Sequence, residues 1–363
     1  MAQIVCPHCF EQHPLKRLNM HCPVECGREG DTFSAAERCP HGNKPMTSRW
    51  CPKCKTVLEY DYLHTQGSTV ALIGAGSAGK STYFGVLVNE LRHRVGDDFH
   101  GMSAEFVGDL SRRRYEETFA QPLYREGEAP EMTRESRSAA PAPVLVALKF
   151  PQQGRGVFGR DRVKPAMLTF FDTAGEDVRD ATEMQRLARY LTSARGIILV
   201  VDPLQVPSVG RSIPADVPDN PVVEQSRVVT QLAARLREER RLSPSKRLDV
   251  PLAIALSKTD AVGSTFGDHS PLRRHHQHAG AYDESDGRHV HDEVRAWLHR
   301  WYGPEFDNIV ANNFSRYRYF GFSALGAQPR GRKLVGSGVH PLRVEDPLLW
   351  LLAQFHLIDT ARS

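Results

Sequence analysis

The sequence predicts an α/β fold: a mostly parallel sheet flanked by helices, preceded by a small metal-binding module. Three observations predict it. From about residue 65 onward, short apolar runs alternate with helical patterns. A glycine-rich segment stands between the first apolar run and the first helix. All seven cysteines lie between Cys6 and Cys54. A chain of 363 residues has room for two domains. The composition divides it into a Cys-, His- and Pro-rich segment, 1–64, and an alternating segment, 65–363.

The strand-like runs are 68–73 (STVALI), 144–150 (VLVALKF), 167–172 (MLTFFD), 196–202 (GIILVVD), 251–257 (PLAIALS) and 318–323 (RYFGFS). Each is short, continuously apolar and bounded by turn residues, as strands buried on both faces are. Helical spacing fits 80–94, 178–194, 222–242, 288–302 and 346–356. In the third of these, Val228, Val229, Leu232 and Leu236 share one face. Trp350, set among leucines, reads as core of the last helix. Three stretches interrupt the pattern. Residues 95–143 are polar with several Pro and Gly, 203–221 carry five prolines, and 261–287 are rich in His, Gly and Ser. The run Arg273, Arg274, His275, His276, His278 reads as a solvated loop, and Arg112, Arg113 and Arg114 as a solvated face.

Residues 74–81 read GAGSAGKS, the phosphate-binding pattern G-x-x-x-x-G-K-[ST]. Gly74, Ala75, Gly76, Ser77, Ala78 and Gly79 are small, so backbone amides can ring a phosphate chain. Lys80 would reach the β- and γ-phosphates and Ser81 would bind Mg²⁺, with Thr82 beside it in the first helical turn. The helix N-terminus supplies a further positive end. The same letters satisfy G-x-G-x-x-G, but Lys80-Ser81 directly after the last glycine decides against a dinucleotide site. DTAGE at 172–176 follows an apolar strand. There Asp172 can hold Mg²⁺ through water and the Gly175 amide can meet the γ-phosphate. SKTD at 257–260 and SAL at 323–325 again follow strands.

These four motifs, in this order, resemble the Ras-like P-loop GTPases, the NTPase class whose third motif is usually Asn-Lys-x-Asp. The resemblance implies that Lys258 packs on the guanine plane and that Asp260 accepts from guanine N1 and N2. It implies that Ser323, Ala324 and Leu325 place a backbone amide near guanine O6. Ser257 stands where the family has Asn, which weakens local bracing more than base choice. Glu176 stands where such enzymes commonly carry a Gln that orients the attacking water. A switch threonine closing over Mg²⁺ should precede the second strand; Thr133 is the first candidate and Thr118 the second.

The cysteines form two C-P-x-C knuckles, Cys6/Cys9 and Cys51/Cys54, with Cys22, Cys26 and Cys39 and His41 between them. Thiolates two residues apart grip one tetrahedral Zn²⁺, and eight ligands make two closed sites. Chain order pairs Cys6, Cys9, Cys22 and Cys26 on one zinc and Cys39, His41, Cys51 and Cys54 on the other. A crossed pairing, with both knuckles on one metal, stays open, as do His8, His13 and His21 as rival ligands. The N-terminal CPHCF and the whole layout resemble the TRAFAC-class double-GTPase family of bacteria. That resemblance implies action beside a second GTPase and adaptor proteins in a multi-protein system.

A formal net charge of +4 is too small to argue for a nucleic-acid or membrane partner. No apolar run reaches membrane-spanning length, and the start shows no basic-then-apolar signal pattern, so a cytoplasmic location is expected. The leading expectation is a Mg²⁺-dependent GTPase that cycles between GTP and GDP, with a low intrinsic rate. Two alternatives remain: a GTP-binding scaffold that scarcely hydrolyses, and a zinc-ribbon nucleic-acid binder. The second is disfavoured because 1–64 lacks a strong basic patch with exposed aromatics.

Overall fold

A computed structural model of the protein describes residues 3–15, 18–21, 48–58, 62–63, 69–99, 101–131, 143–151, 163–170, 188–206, 209, 224–336 and 338–361. Among the described residues the N-terminal part holds two small antiparallel units. In the first, β1 (Gln3–Val5) pairs antiparallel with β2 (Gln12–Pro14). In the second unit β3 (Asn19–His21), β4 (Ser48–Trp50) and β5 (Val57–Leu58) make a three-stranded sheet.

Among the described residues the main sheet has seven strands: β6 (Val70–Gly74), β7 (Ser103–Phe106), β8 (Val144–Pro151), β9 (Val163–Phe170), β10 (Gly196–Val201), β11 (Leu252–Leu256) and β13 (Tyr317–Gly321), in the order β13-β11-β10-β6-β9-β8-β7, while β12 (Ala281–Asp283) lies outside it and pairs with β14 (Asp359–Ala361). The five strands from β13 to β9 are mutually parallel; at one edge β8 pairs antiparallel with β9, and β7 antiparallel with β8. The expected mostly parallel sheet flanked by helices is seen, with the antiparallel pairings confined to one edge. Strand β10 shows why a continuous apolar run was needed. Ile198 and Val200 enter one core and Ile197, Leu199 and Val201 the other. Side chains alternate across a strand, so both faces must be apolar when helices cover both.

Helix α1 (Lys80–His93) buries Tyr83, Phe84, Leu87 and Leu91 on the first face. On the second face α3 (Gln225–Glu239) buries Val229, Leu232 and Leu236, with Val228 partly buried. α4 (Glu284–Tyr302) and α5 (Pro304–Asn313) also lie there, and α6 (Asp346–Gln354) returns to the first face with Trp350 in the core. Of the helix expected at 178–194, residues 188–194 fall among the described residues, and 188–193 are helical. No helix among the described residues is long and apolar enough to cross a membrane.

Two of the interrupting stretches are more ordered than their composition suggests. Within 95–143 lie β7 and α2 (Gly108–Tyr115), continued by a π-helical turn, Glu116–Glu126. Tyr115, Phe119 and Leu123 recur every fourth residue and pack on α1. The wider π-turn also accommodates Pro122 inside the segment. Arg112 and Arg113 are exposed on this helix, with Arg112 bound to Asp109 at 2.7 Å.

The His-rich stretch is corrected in part: Arg273, Arg274 and His275 are exposed, as a solvated loop would be, but His276 is half-buried and His278 is packed into the fold. His278 is buried and its Nε2 lies 3.0 Å from Asp346 Oδ1, while Arg343 bonds both Asp346 and Asp286. Burial pushes the His278 imidazole down, but the adjoining Asp346 carboxylate outweighs this and its pKa stands above the ordinary value. Burial likewise pushes Asp346 up, yet His278 and Arg343 bring it below the usual carboxylate range. A compensated charge cluster of this kind ties 276–286 to the start of α6. Of 203–221, residues 203–206 and 209 are described, and Pro203–Gln205 form a 3-10 turn.

The N-terminal hairpins pack on the sheet. Ile4, Cys6, Leu18, Cys51, Leu58, Tyr62 and Leu63 share a core with Leu145 and Ala147 of β8 and Met167 of β9. Phe10 packs at 5.0 Å on Tyr190, whose hydroxyl accepts from Leu72 N and donates to Thr169 O. Tyr190 thereby bridges β6 and β9 beyond Val70–Leu168, the pair that joins the two strands.

Candidate functional site

Four of the parallel strands end on one edge of the sheet in a segment that meets the others there. β6 leads into 74–81, β10 into the turn at Asp202, β11 into Ser257–Asp260 and β13 into Ser323. Ligands of open α/β sheets bind at the carboxyl ends of the strands, where connections to opposite faces diverge.

The loop after β6 is fixed carbonyl by carbonyl. Lys80 Nζ donates to Gly74 O at 2.9 Å and to Ala75 O at 2.7 Å. Gln205 Nε2 donates to Gly76 O at 2.7 Å, Lys258 Nζ to Ser77 O at 3.2 Å and Ser257 Oγ to Ala78 O at 3.0 Å. Five successive carbonyls are thus drawn to protein side chains. A peptide plane places its N–H opposite its C=O, so the amides of Gly76, Ser77 and Gly79 are turned to the other side. Gly79 has φ 89°, a conformation a Cβ would strain, and caps α1. A Cβ on Gly74 would meet Val200 O at 2.5 Å, so β10 can approach only a glycine. Ser77 and Lys258 adopt left-handed φ values of 59° and 52° without being glycine. Such strain costs roughly 1–2 kcal/mol per residue and concentrates at functional sites. Ser81 and Thr82 are half-buried in the first turn of α1.

Ser257 keeps the bracing role with a shorter side chain, bonding Ala78 O and, at 3.3 Å, Val201 O. Asp260 is held on both oxygens, by Ser323 Oγ at 2.6 Å and Gln328 Nε2 at 2.8 Å. Ser323 also accepts from Gly326 N at 2.8 Å, which binds the third motif to the fourth. Ala324 and Leu325 pack partly buried against the core. Asp172, Gly175, Glu176 and Thr133 lie outside the described residues. Thr118 is exposed on the π-helical turn and not in a loop.

Three residues of this edge escaped sequence reasoning. Asp202 is fully buried, caps the 3-10 turn through Leu204 N at 2.9 Å and pairs with Lys258 Nζ at 2.6 Å. Burial pushes its carboxyl up, against the downward pull of Lys258. Gln205 and Gln328 are the others. The signal for Asp202 was an acid closing an apolar strand; for the two glutamines no local signal exists.

The four knuckle cysteines form a second centre. The sulfurs of Cys6, Cys9, Cys51 and Cys54 all lie within 4.8 Å of one another, with Cys6–Cys54 at 3.6 Å and Cys9–Cys51 at 3.7 Å. A tetrahedral zinc with Zn–S near 2.3 Å requires sulfurs about 3.8 Å apart, so the donor set fits one zinc. The chain-order pairing is therefore corrected: the crossed set comes together. The two hairpins explain it, because each knuckle is the same turn. Phe10 N bonds Cys6 O and Lys55 N bonds Cys51 O, and Phe10 and Lys55 have φ values of 58° and 59°. Hydrogen bonds from Cys6 and Cys9 hold the Cys54 thiol well below the ordinary range, and that sharing pushes Cys9 up to about 12. A cation favouring thiolates would release this competition. His13 Nε2 lies 3.4 Å from Cys51 Sγ, a hydrogen-bond partner of the sulfur and not one of the four. Cys22, Cys26, Cys39 and His41 lie outside the described residues.

A family model, Double-GTPase 2, matches residues 68–299. A protein of Mycolicibacterium smegmatis named as a putative ESX-1 scaffolding and assembly protein, SaeC, is 27% identical over 329 residues, 85% of this chain and 80% of that one. Similar solved structures include the Chaetomium thermophilum signal recognition particle receptor SRb-GTP/SRX complex, at 13% identity, TM-score 0.31, covering 73% of this chain and 94% of that one. The Arl6 small GTPase of Trypanosoma brucei matches at 14% identity, TM-score 0.29, over 80% of this chain and 97% of that one.

Proposed function

The chain belongs to the double-GTPase 2 family and binds guanine nucleotide, and from that premise we propose that it is a Mg²⁺-dependent GTPase switch that acts on protein partners. The observation that carries this reading is the loop 74–79, whose carbonyls are pulled away by Lys80, Gln205, Lys258 and Ser257. Amides freed in this way suit a polyphosphate. Ser81 and Asp172 hold Mg²⁺, with Thr133 as the switch ligand. Lys258 and Asp260 take the base. Asp172, Gly175 and Glu176 form the part that senses or attacks the γ-phosphate. Residues 1–64 act as a zinc module packed on the sheet, and 65–363 as the nucleotide domain. The relative's name supports a place in the scaffolding or assembly of a multi-protein system, beside an adaptor or a second GTPase.

Intrinsic turnover should be slow. An amide at position 176 would both donate to and accept from a water; ionised Glu176 only accepts. Its charge also stands near a γ-phosphate that is already negative, and an added cation from a partner can contribute ~10³–10⁵ in rate. Single-turnover hydrolysis of wild type and Glu176→Gln, each alone, tests this: the variant should be at least as fast. Rapid wild-type turnover that drops in the variant would make Glu176 a competent catalyst. A second reading, a GTP-binding scaffold without turnover, is favoured by the relative's scaffolding name. No phosphate release at saturating GTP, with or without a cell extract, would select it.

For the metal we propose two zinc ions per chain. One sits on Cys6, Cys9, Cys51 and Cys54, and the other on Cys22, Cys26, Cys39 and His41. Metal analysis should return two zinc per chain, falling to one in Cys51→Ser and in Cys26→Ser alike. Loss of both from either variant would mean the sites are not separate. Removal of zinc should unfold 1–64, since a structural site supplies on the order of 10 kcal/mol of folding free energy, while leaving much nucleotide binding intact.

A further inference from the structure

We propose that Gln205, held by Gln225, is a positioning residue for the phosphate loop, so that the first residue of α3 sets the aim of the Ser77 amide. Both glutamines are fully buried. Gln205 Nε2 lies 2.7 Å from Gly76 O, and Gln205 Oε1 accepts from Gln225 Nε2 at 3.3 Å. The chemistry fixes both orientations. A carbonyl only accepts, so Gln205 must present its NH₂ to Gly76, which leaves its oxygen for the donor of Gln225. Gly76 is the carbonyl in this loop that no motif residue holds: Lys80, Lys258 and Ser257 serve the others.

A Cβ on Gly76 would meet nothing within 4 Å, and glycine at 76 also leaves the Gly76–Ser77 peptide without a steric lock. Without a donor on Gly76 O, the plane can rotate, and the Ser77 N–H leaves the phosphate side. The Gln205 turn is itself anchored, by Asp202 capping Leu204 N and pairing with Lys258. Gln225 opens α3 on the second face of the sheet. A shift of that helix start is therefore felt at the phosphates through two hydrogen bonds. The inference rests on the guanine-nucleotide reading.

The test is release of a fluorescent GDP analogue from the full chain. Gln205→Met keeps the volume and removes the donor; release should quicken about 10- to 100-fold, as expected when a buried acceptor loses its partner. Gln225→Met keeps the Gly76 contact and should quicken release only severalfold. The double variant should match Gln205→Met, because Gln225 acts through Gln205. Gln205→Glu supplies a readout that mere packing would not move. Its carboxylate would face a carbonyl, so release should be fastest at neutral pH and slow toward the wild-type rate as acid protonates it and restores a donor. Unchanged release from Gln205→Met, full additivity with Gln225→Met, or a pH-independent Gln205→Glu would each overturn the inference. If Gln205→Met does not fold, the Gln225→Met and Gln205→Glu arms still decide it. A wild-type chain that bound no GDP would overturn the nucleotide reading and this inference with it; tight wild-type binding confines failure to the inference.

Discussion

Lys80→Ala lowers affinity for GTP and GDP by about 30-fold to several-thousand-fold, since truncating one partner of a buried charge contact costs about 2–5 kcal/mol. Lys80 is 7% exposed and its ammonium sits between Gly74 O and Ala75 O. Neutral carbonyls accept its protons without supplying a full negative charge. A β- or γ-phosphate oxygen bound at the loop would offer that charge to the same side chain. The loss should be similar for GTP and GDP if the β-phosphate dominates the contact, and larger for GTP if the γ-phosphate does. Titration calorimetry with each nucleotide separates these. Folding is the control: the variant removes the Lys80 donor from two carbonyls, so its melting temperature should drop modestly while the transition stays cooperative. A folded Lys80→Ala chain with wild-type affinity would contradict the assignment of 74–81 to phosphate.

What was legible in the sequence was whatever depends on neighbours in sequence. Strand β10 announces itself because six successive apolar residues, Gly196–Val201, need two covered faces. The GAGSAGKS loop announces itself because glycine spacing and backbone approach are one and the same requirement. The α2–π segment stayed hidden because its apolar residues come every fourth position amid charge and around Pro122, so neither helical spacing nor composition singled it out. His278 was misread because a histidine in a polar run looks solvated until its distant partner is known; Asp346 is 68 residues away. The zinc pairing failed for a related reason. Chain order says which knuckles exist, but the stacking of two alike hairpins decides which of them come together. Gln205 and Gln328 carry no local mark at all. Each matters only because a strand end 129 residues away or an acid 68 residues away is brought to it.

Asp260→Asn should exchange guanine for xanthine preference. In wild type both carboxylate oxygens are engaged, one by the Ser323 hydroxyl at 2.6 Å and one by the Gln328 amide at 2.8 Å. Ser323 is braced by Gly326 N, so its hydroxyl proton has one natural destination, and this sets the plane of the carboxylate. Gln328 stands as a donor on the oxygen it meets, as a guanine N–H would. A guanine bound here would therefore compete with or displace that amide, and its two N–H groups would find an acceptor already oriented. The substituted amide retains one oxygen for Ser323 but offers an NH₂ in the second position, where Gln328 can follow by turning its own amide. The pocket then survives with one acceptor replaced by a donor. Guanine would face donor against donor, whereas xanthine has a carbonyl in place of the amino group and accepts from it. A site built to hydrogen-bond a group discriminates by up to ~10⁴ against its mismatch, because failure leaves buried polar groups unpaired. Competition binding with GDP and XDP on both chains reads the exchange directly. Wild type should prefer GDP and Asp260→Asn should prefer XDP, with melting temperatures nearly equal. If the variant lost both nucleotides equally, Asp260 would be acting through the fold of 257–260 and not on the base. Equal binding of ATP and GTP by wild type would remove the base contact from Asp260 altogether.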